Sequence, residues 1–330
     1  MIFGATPESI LDALSSSWRI AYRNDTKIKM KFRFYLFFLF FTLLLLFYPG
    51  ESEYFKLVAF NRNLFAKADQ KTELKNNPVP FLKFQYYPQI TAEGAYIVDL
   101  PSFTPVFEKN PHQQFIPAST AKIITALVAS DLYDPDDVLT VKRIITEGQV
   151  MDLLIGERLT AENLLYGTLV HSGNDAAYTL ADNFGLEKFL NLMKLKIEQL
   201  SMTDSHFVDP AGLEEYNQYT TPFDLALAAR ALLENNELKK MVATKDITIA
   251  DVDYKYFHRL SNVNKLLGEV QGIGGLKTGF TENAKENLVS FYKSNGHQFI
   301  IVILKSEDRF TDTRQVINWI NNNIDYINID

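Results

Sequence analysis

Three short polar clusters carry side chains suited to attack on a carbonyl: Ser119-Thr120-Ala121-Lys122, Ser172-Gly173-Asn174 and Lys277-Thr278-Gly279. A serine hydroxyl is a poor nucleophile near neutral pH unless an adjacent base takes its proton. A lysine can serve as that base once burial or a second cation lowers its pKa. On a helix, residues three apart share a face, so Lys122 can set its amine beside the Ser119 hydroxyl, with Lys277 as the candidate second cation. A helix starting at Ser119 also leaves backbone N–H groups free for a developing oxyanion. Ser172 and Asn174 fit a loop that presents a hydroxyl and an amide into a cleft, and Gly279 fits a strand edge that a substrate backbone approaches closely. Each cluster also has a plainer reading: a helix-surface pair, a turn capping the next helix, a solvent-facing strand end. A second Ser-x-x-Lys, Ser290 to Lys293, falls in strand-like sequence, where positions i and i+3 point to opposite faces and cannot cooperate.

The elements that must position these residues follow from periodicity and punctuation. Tyr96 to Leu100 and Val106-Phe107 read as two short strands joined by a turn at Pro101-Ser102. From Pro117 the spacing becomes helical, with Ile123, Ile124, Leu127 and Val128 on one face. Thr160-Ala161-Glu162-Asn163 starts a second helix, which breaks at His171 to Asn174 and resumes from Ala176 to Asn183. Thr221-Pro222-Phe223-Asp224 opens another, ending near Asn235. Gly274 to Thr281, Asn287 to Tyr292 and Phe299 to Leu304 read as antiparallel strands, closed by a helix over Thr313–Asn322. The order predicts an α+β domain, an antiparallel sheet flanked by helices with a helical insertion between the first and later strands.

Composition narrows the functional classes. The chain has 330 residues, 47% hydrophobic, a net charge of −7 and no cysteine. Disulfides, thiolate nucleophiles and Cys-ligated metals are excluded, and an acidic chain without a basic stripe argues against nucleic acid as a partner. The histidines, His112, His171, His206, His258 and His297, lack metal-helix spacing, so neither a metal nor another cofactor is expected. His171, beside Ser172, is a candidate for tuning pH dependence.

Residues 34–48 are apolar or aromatic apart from Thr42, and six basic against three acidic side chains precede them. With Glu51 and Glu53 beyond, the bias predicts a membrane segment with its N-terminus inside and the bulk of the chain outside. Fifteen residues span about 22 Å of helix against a hydrocarbon core of about 30 Å, a shortfall that Lys31 and Arg33 can reduce by snorkelling. An uncleaved anchor is favoured over a signal peptide starting at Met30. The expected organisation is a cytoplasmic segment 1–33, an anchor or signal 34–48, a tether 49–87 and a catalytic domain 88–330.

Taken together, in this order on helix, loop and strand, the three clusters match a motif set of penicillin-binding proteins and class A β-lactamases. The sequence resembles the low-molecular-mass penicillin-binding proteins, the serine-type D-alanyl-D-alanine carboxypeptidases of peptidase family S11. The likeness runs from about Pro88 to Ile320. It includes Leu164-Leu165-Tyr166-Gly167 through Ser172-Gly173-Asn174-Asp175-Ala176-Ala177, Asp209-Pro210-Ala211-Gly212-Leu213, Asn262-x-Asn264-x-Leu266-Leu267 and Gly275 to Thr281. It implies a β-lactamase/transpeptidase-like fold with the active site between the sheet and a helical subdomain, peptidoglycan stem peptides as substrate and β-lactams as covalent inhibitors. It further implies Ser119 as nucleophile, Lys122 as general base, Ser172 and Lys277 as a proton relay and Asn174 as a holder of substrate or Lys122. Backbone N–H groups of Ser119 and Phe280 would bind the oxyanion. Thr278 and Arg309 would receive the terminal carboxylate, with Arg314 the weaker candidate for the arginine. The family's usual Ala-Gly after this motif is Ala284-Lys285 here, which bears on loop geometry. Alternatives are a DD-endopeptidase, a class A-like β-lactamase, whose deacylating Glu-x-x-x-Asn is approached only by Glu214 to Gln218, and a wall-binding scaffold without turnover.

Overall fold

In the computed structural model, which describes residues 34–44, 78–213 and 217–327, the unbroken apolar run at 299–304 becomes the middle strand of the main sheet. Along the chain, helix α1 (residues 34–44) is followed by β1 (Val79–Leu82), β2 (Gly94–Leu100) and β3 (Pro105–Lys109). A 3-10 turn (Ala118–Ala121) runs into α2 (Lys122–Leu132), and β4 (Val138–Thr140) pairs with β5 (Arg158–Thr160). Next come α3 (Ala161–Leu169), α4 (Asn174–Phe184), α5 (Leu186–Gln199), α6 (Pro222–Glu234) and α7 (Asn236–Val242). The hairpin β6 (Asp246–Ala250) and β7 (Phe257–Ser261) precedes β8 (Ile273–Thr281), β9 (Lys285–Ser294) and β10 (His297–Ser306). The chain closes on α8 (Arg309–Asn323) and β11 (Ile324–Ile327).

The main sheet has the order β3-β2-β10-β9-β8, antiparallel throughout. Alternation along β10 splits its side chains between two cores. Ile300, Val302 and Leu304 pack with α2 to α7, whereas Phe299, Ile301 and Ile303 pack with Val316, Ile317, Trp319 and Ile320 of α8. A strand covered on both faces reads as a continuous apolar run, which is why this one lacks polar alternation. The α+β expectation therefore holds, with the helical insertion on one face and α8 on the other.

Local chemistry sets the helix starts. Thr160 caps α3 through Asn163 N, Thr221 caps α6 through Asp224 N with Pro222 in the first turn, and Asp308 caps α8 through Phe310 N and Thr311 N. α2 is buried on all sides from Lys122 to Ala129, wider than the single apolar face its sequence suggests, because α3, α4, α5 and α6 pack around it.

Several boundaries differ from the sequence reading. Residues 79–82, placed in the tether, form β1, which pairs with β11, and Trp319 Nε1 donates to Tyr86 O at 2.8 Å. The last helix starts at Arg309 rather than Thr313, because Asp308 supplies the cap. Lys285 has φ 55°, a left-handed conformation that suits the family's glycine better than lysine. Among the described residues no helix is long and apolar enough to cross a membrane. The apolar run beyond residue 44, residues 1–33 and most of the tether lie outside the described residues.

Candidate active site

Pro117, helical in its own dihedrals, caps the start of the 3-10 turn, where Thr120 Oγ1 and Thr120 N both donate to Pro117 O. This turn puts Ser119 three residues before the first residue of α2, Lys122. Lys122 Nζ then reaches three acceptors: Ser119 Oγ at 2.8 Å, Asn174 Oδ1 at 2.6 Å and Ala211 O at 2.7 Å. The amine is wholly buried, and burial lowers its pKa to about 7 against the opposing pull of Asp209 and Asp175. The Lys277 amine is buried as well, bonded to Ser172 Oγ at 2.8 Å and Thr278 O at 2.9 Å. Its pKa falls well below the ordinary lysine value through burial, then through Lys122 and Arg309. The sequence reading made a second cation a means of activating Lys122. In the structure burial leads that effect, and Lys277 is the lysine depressed by its cationic neighbours.

These groups surround a cleft of about 400 Å³ lined by Ser119, Ser172, Asn174, Thr278, Gly279, Phe280 and Arg309, together with Glu147, Gly148, Gln149, Gly212, Leu213, Val263 and Thr281. All nine residues singled out by sequence line the cleft or bond directly to side chains that do. β8 is one of the main sheet's two edge strands, so backbone groups on its outer side stay outside the ladder. A Cβ on Gly279 would stand 3.0 Å from Pro117 O and 3.2 Å from Ser119 N. The glycine thus lets β8 approach the nucleophile turn itself, a closer role than admitting a substrate backbone. Arg309 Nη1 donates to Gly279 O at 2.7 Å and holds the same strand from the α8 side.

Residues that sequence reasoning did not single out hold the site together. Asp209 accepts from the backbone N–H groups of Ala211, Gly212 and Leu213 and from Gln218 Nε2, which fixes the loop that turns Ala211 O toward Lys122. Asp175 accepts from Met151 N, Leu153 N and Ala176 N, pinning the 148–153 loop to the start of α4. Asn287, fully buried on β9, donates to Ile116 O at 2.9 Å and Pro117 O at 3.1 Å and accepts from Lys305 N at 2.8 Å. Asp209 and Asp175 fall within the stretches that carried the family likeness. Asn287 is one polar residue in a strand and gave no signal.

Other candidates fall outside the cleft. Arg314 pairs with Glu269 on the surface at 2.8 Å. His171 lies within hydrogen-bond distance of Gln149 Nε2 and Val150 O on the rim loop. Ser290 is buried in β9 while Lys293 is exposed, as opposite strand faces require. Glu214 lies outside the described residues.

The arrangement gives Lys122 a defined neutral form. With two N–H bonds kept on Asn174 Oδ1 and Ala211 O, the freed lone pair points to the Ser119 hydroxyl. That is the geometry of a serine nucleophile with a lysine base.

The profile described as D-alanyl-D-alanine carboxypeptidase, peptidase family S11, matches residues 82–308. The chain is 28% identical over 259 residues to the D-alanyl-D-alanine carboxypeptidase DacF of Bacillus subtilis, covering 75% of this chain and 62% of that one. It is 29% identical over 252 residues to DacD of Escherichia coli, covering 70% and 63%. The chain thus spans less than two thirds of the length of these relatives. The crystal structure of a Streptomyces DD-transpeptidase superposes with a TM-score of 0.67 at 28% identity, over 71% of this chain and 98% of that one. With the profile matching well over half of its length, the chain belongs to the D-alanyl-D-alanine carboxypeptidase family, peptidase family S11.

Proposed function

We propose that the chain is a serine D-alanyl-D-alanine carboxypeptidase that removes the terminal D-alanine from peptidoglycan stem peptides through an acyl-enzyme on Ser119. The observation that carries this reading is the Ser119–Lys122 pair: 2.8 Å apart, with the amine buried, a pKa near 7 and fixed acceptors for the two protons it keeps. Neutral Lys122 takes the Ser119 proton as Oγ attacks the carbonyl between the last two D-alanines. The oxyanion turns to the backbone N–H groups of Ser119 and Phe280. The Lys277–Ser172 pair passes a proton to the departing amine, while Thr278 and Arg309 hold the carboxylate. Water then cleaves the acyl ester and returns Ser119.

The test uses the full chain beside Ser119→Ala, with a fluorescent penicillin and with diacetyl-lysyl-D-alanyl-D-alanine. The wild-type chain is expected to be labelled covalently and to release D-alanine, and the variant to do neither while keeping its melting temperature. A folded wild-type chain that takes no label would overturn the serine assignment. The same acyl-enzyme serves cross-link cleavage, and a D-alanyl-D-alanine endopeptidase of Pseudomonas aeruginosa, 26% identical, is matched over 86% of its length. Release of monomers from cross-linked dimers at a rate matching D-alanine release would favour that second reading.

The apolar run 34–48, with its basic flank before and Glu51 and Glu53 after, supports a tether to the outer face of the cytoplasmic membrane. Deleting residues 34–48 is expected to move the protein from the membrane pellet to the supernatant. An undeleted protein found in the supernatant and shortened at its N-terminus would argue for cleavage.

A further inference from the structure

Arg309 opens α8 directly behind the cleft, and its guanidinium is only partly committed. Nη1 donates to Gly279 O at 2.7 Å, while Nε is buried without a hydrogen-bond partner. Facing it is Glu286, the residue paired with Phe280 across the β8–β9 ladder. Glu286 Oε2 accepts the backbone N–H of Arg309 at 3.0 Å and stands 3.9 Å from Arg309 Nε. The other nearby carboxylate, Asp308, is taken up by its own helix, accepting from Phe310 N, Thr311 N and Thr311 Oγ1. Glu286 is therefore the side chain positioned to offset the Arg309 charge at this end of the cleft, and it belongs to neither the Ser-Lys pair nor the Lys277–Ser172 pair.

We propose that Glu286 is a positioning residue which, acting through Arg309, sets how tightly the cleft holds the carboxylate of an incoming peptide. The inference rests on the carboxypeptidase reading, in which Arg309 receives that carboxylate. An arriving carboxylate must share the guanidinium with one already beside it, and two like charges on one cation weaken each other's hold. The effect favours release of the D-alanine product, which carries the same carboxylate, at a cost in ground-state affinity for the substrate.

Glu286→Gln separates charge from structure, because the amide oxygen can still accept from Arg309 N. The variant is made in the full chain on a Ser119→Ala background, so that calorimetry reads binding without turnover. The ligands are diacetyl-lysyl-D-alanyl-D-alanine and its terminal carboxamide. The expected result is about threefold tighter binding of the acid, the scale of one partly exposed ion pair, with the carboxamide unchanged. An unchanged acid, or equal shifts for acid and carboxamide, would overturn the proposal, as would failure of the acid to bind either variant. Loss of D-alanine release in the wild-type chain is read separately, in the turnover assay, so the two failures are distinguishable.

Discussion

Lys122 pairs function against stability. The unfolded chain titrates this lysine near the ordinary lysine value of 10.5 and the folded chain at about 7, because burial disfavours the ammonium. Between those values the unfolded state binds more protons, so stability rises with pH across that window. Lys277 is shifted in the same direction and adds to the slope. Urea midpoints are therefore expected to increase from about pH 7 to about pH 9, and Lys122→Met is expected to flatten that rise. The same variant should be more stable than wild type at neutral pH, because removing a buried cation relieves its desolvation, while penicillin labelling disappears. A less stable Lys122→Met would mean that its three hydrogen bonds outweigh burial. For the wild-type chain, the acylation rate should climb through about pH 7 and level off above it as the amine loses its proton. A rate that falls over that range would remove Lys122 as the base.

Among the elements, β8 and the nucleophile turn are the pair whose spacing decides activity. Gly279→Ala adds a Cβ 3.0 Å from Pro117 O, a backbone atom that cannot swing aside. Acylation should fall by about tenfold or more, the cost of displacing reacting groups by a fraction of an ångström, with a smaller change in melting temperature. At the β8–β9 turn, Lys285→Gly should instead stabilise by about 1 kcal/mol, since glycine adopts the left-handed conformation without strain. Loss of stability there would show that the Lys285 side chain matters more than its φ. The sequence made the catalytic side chains legible because type and spacing were both constrained: Ser119 with Lys122 on a helix, Ser172 with Asn174 in a break, and Lys277 to Gly279 on a strand. Helix starts at Thr160 and Thr221 were legible for the same reason, through their caps. The strands β4 and β5, three residues each, were too short to show a period. The Ala211 carbonyl on Lys122 has no residue type to betray it, because any residue supplies one. α5 was readable but lies outside the elements assigned from sequence, although Phe189, Met193 and Ile197 recur every fourth residue on its buried face.

For the molecule as a whole, the pairing of β1 with β11 joins residues near the two ends of the catalytic unit, a separation no local pattern encodes. A fragment starting at Pro88 should melt several degrees below one starting at Asn76, because it loses β1 and the Tyr86 carbonyl that receives Trp319. Equal melting temperatures would make β1 dispensable. The burial of α2 has an evolutionary consequence. Side chains exchanged between Lys122 and Ala129 meet packed neighbours on every side, and misfits of that kind cost about 1–3 kcal/mol out of a total of about 5–15. On the proposed reading, antibiotic selection has little room to remodel the helix that directly follows the acylated Ser119. The variation open to it lies at the lip, where Glu147, Gln149 and Phe280 line the opening yet stand exposed. Substitutions there disturb no core, so inherited drug escape in this chain should accumulate around the mouth of the cleft and spare its floor.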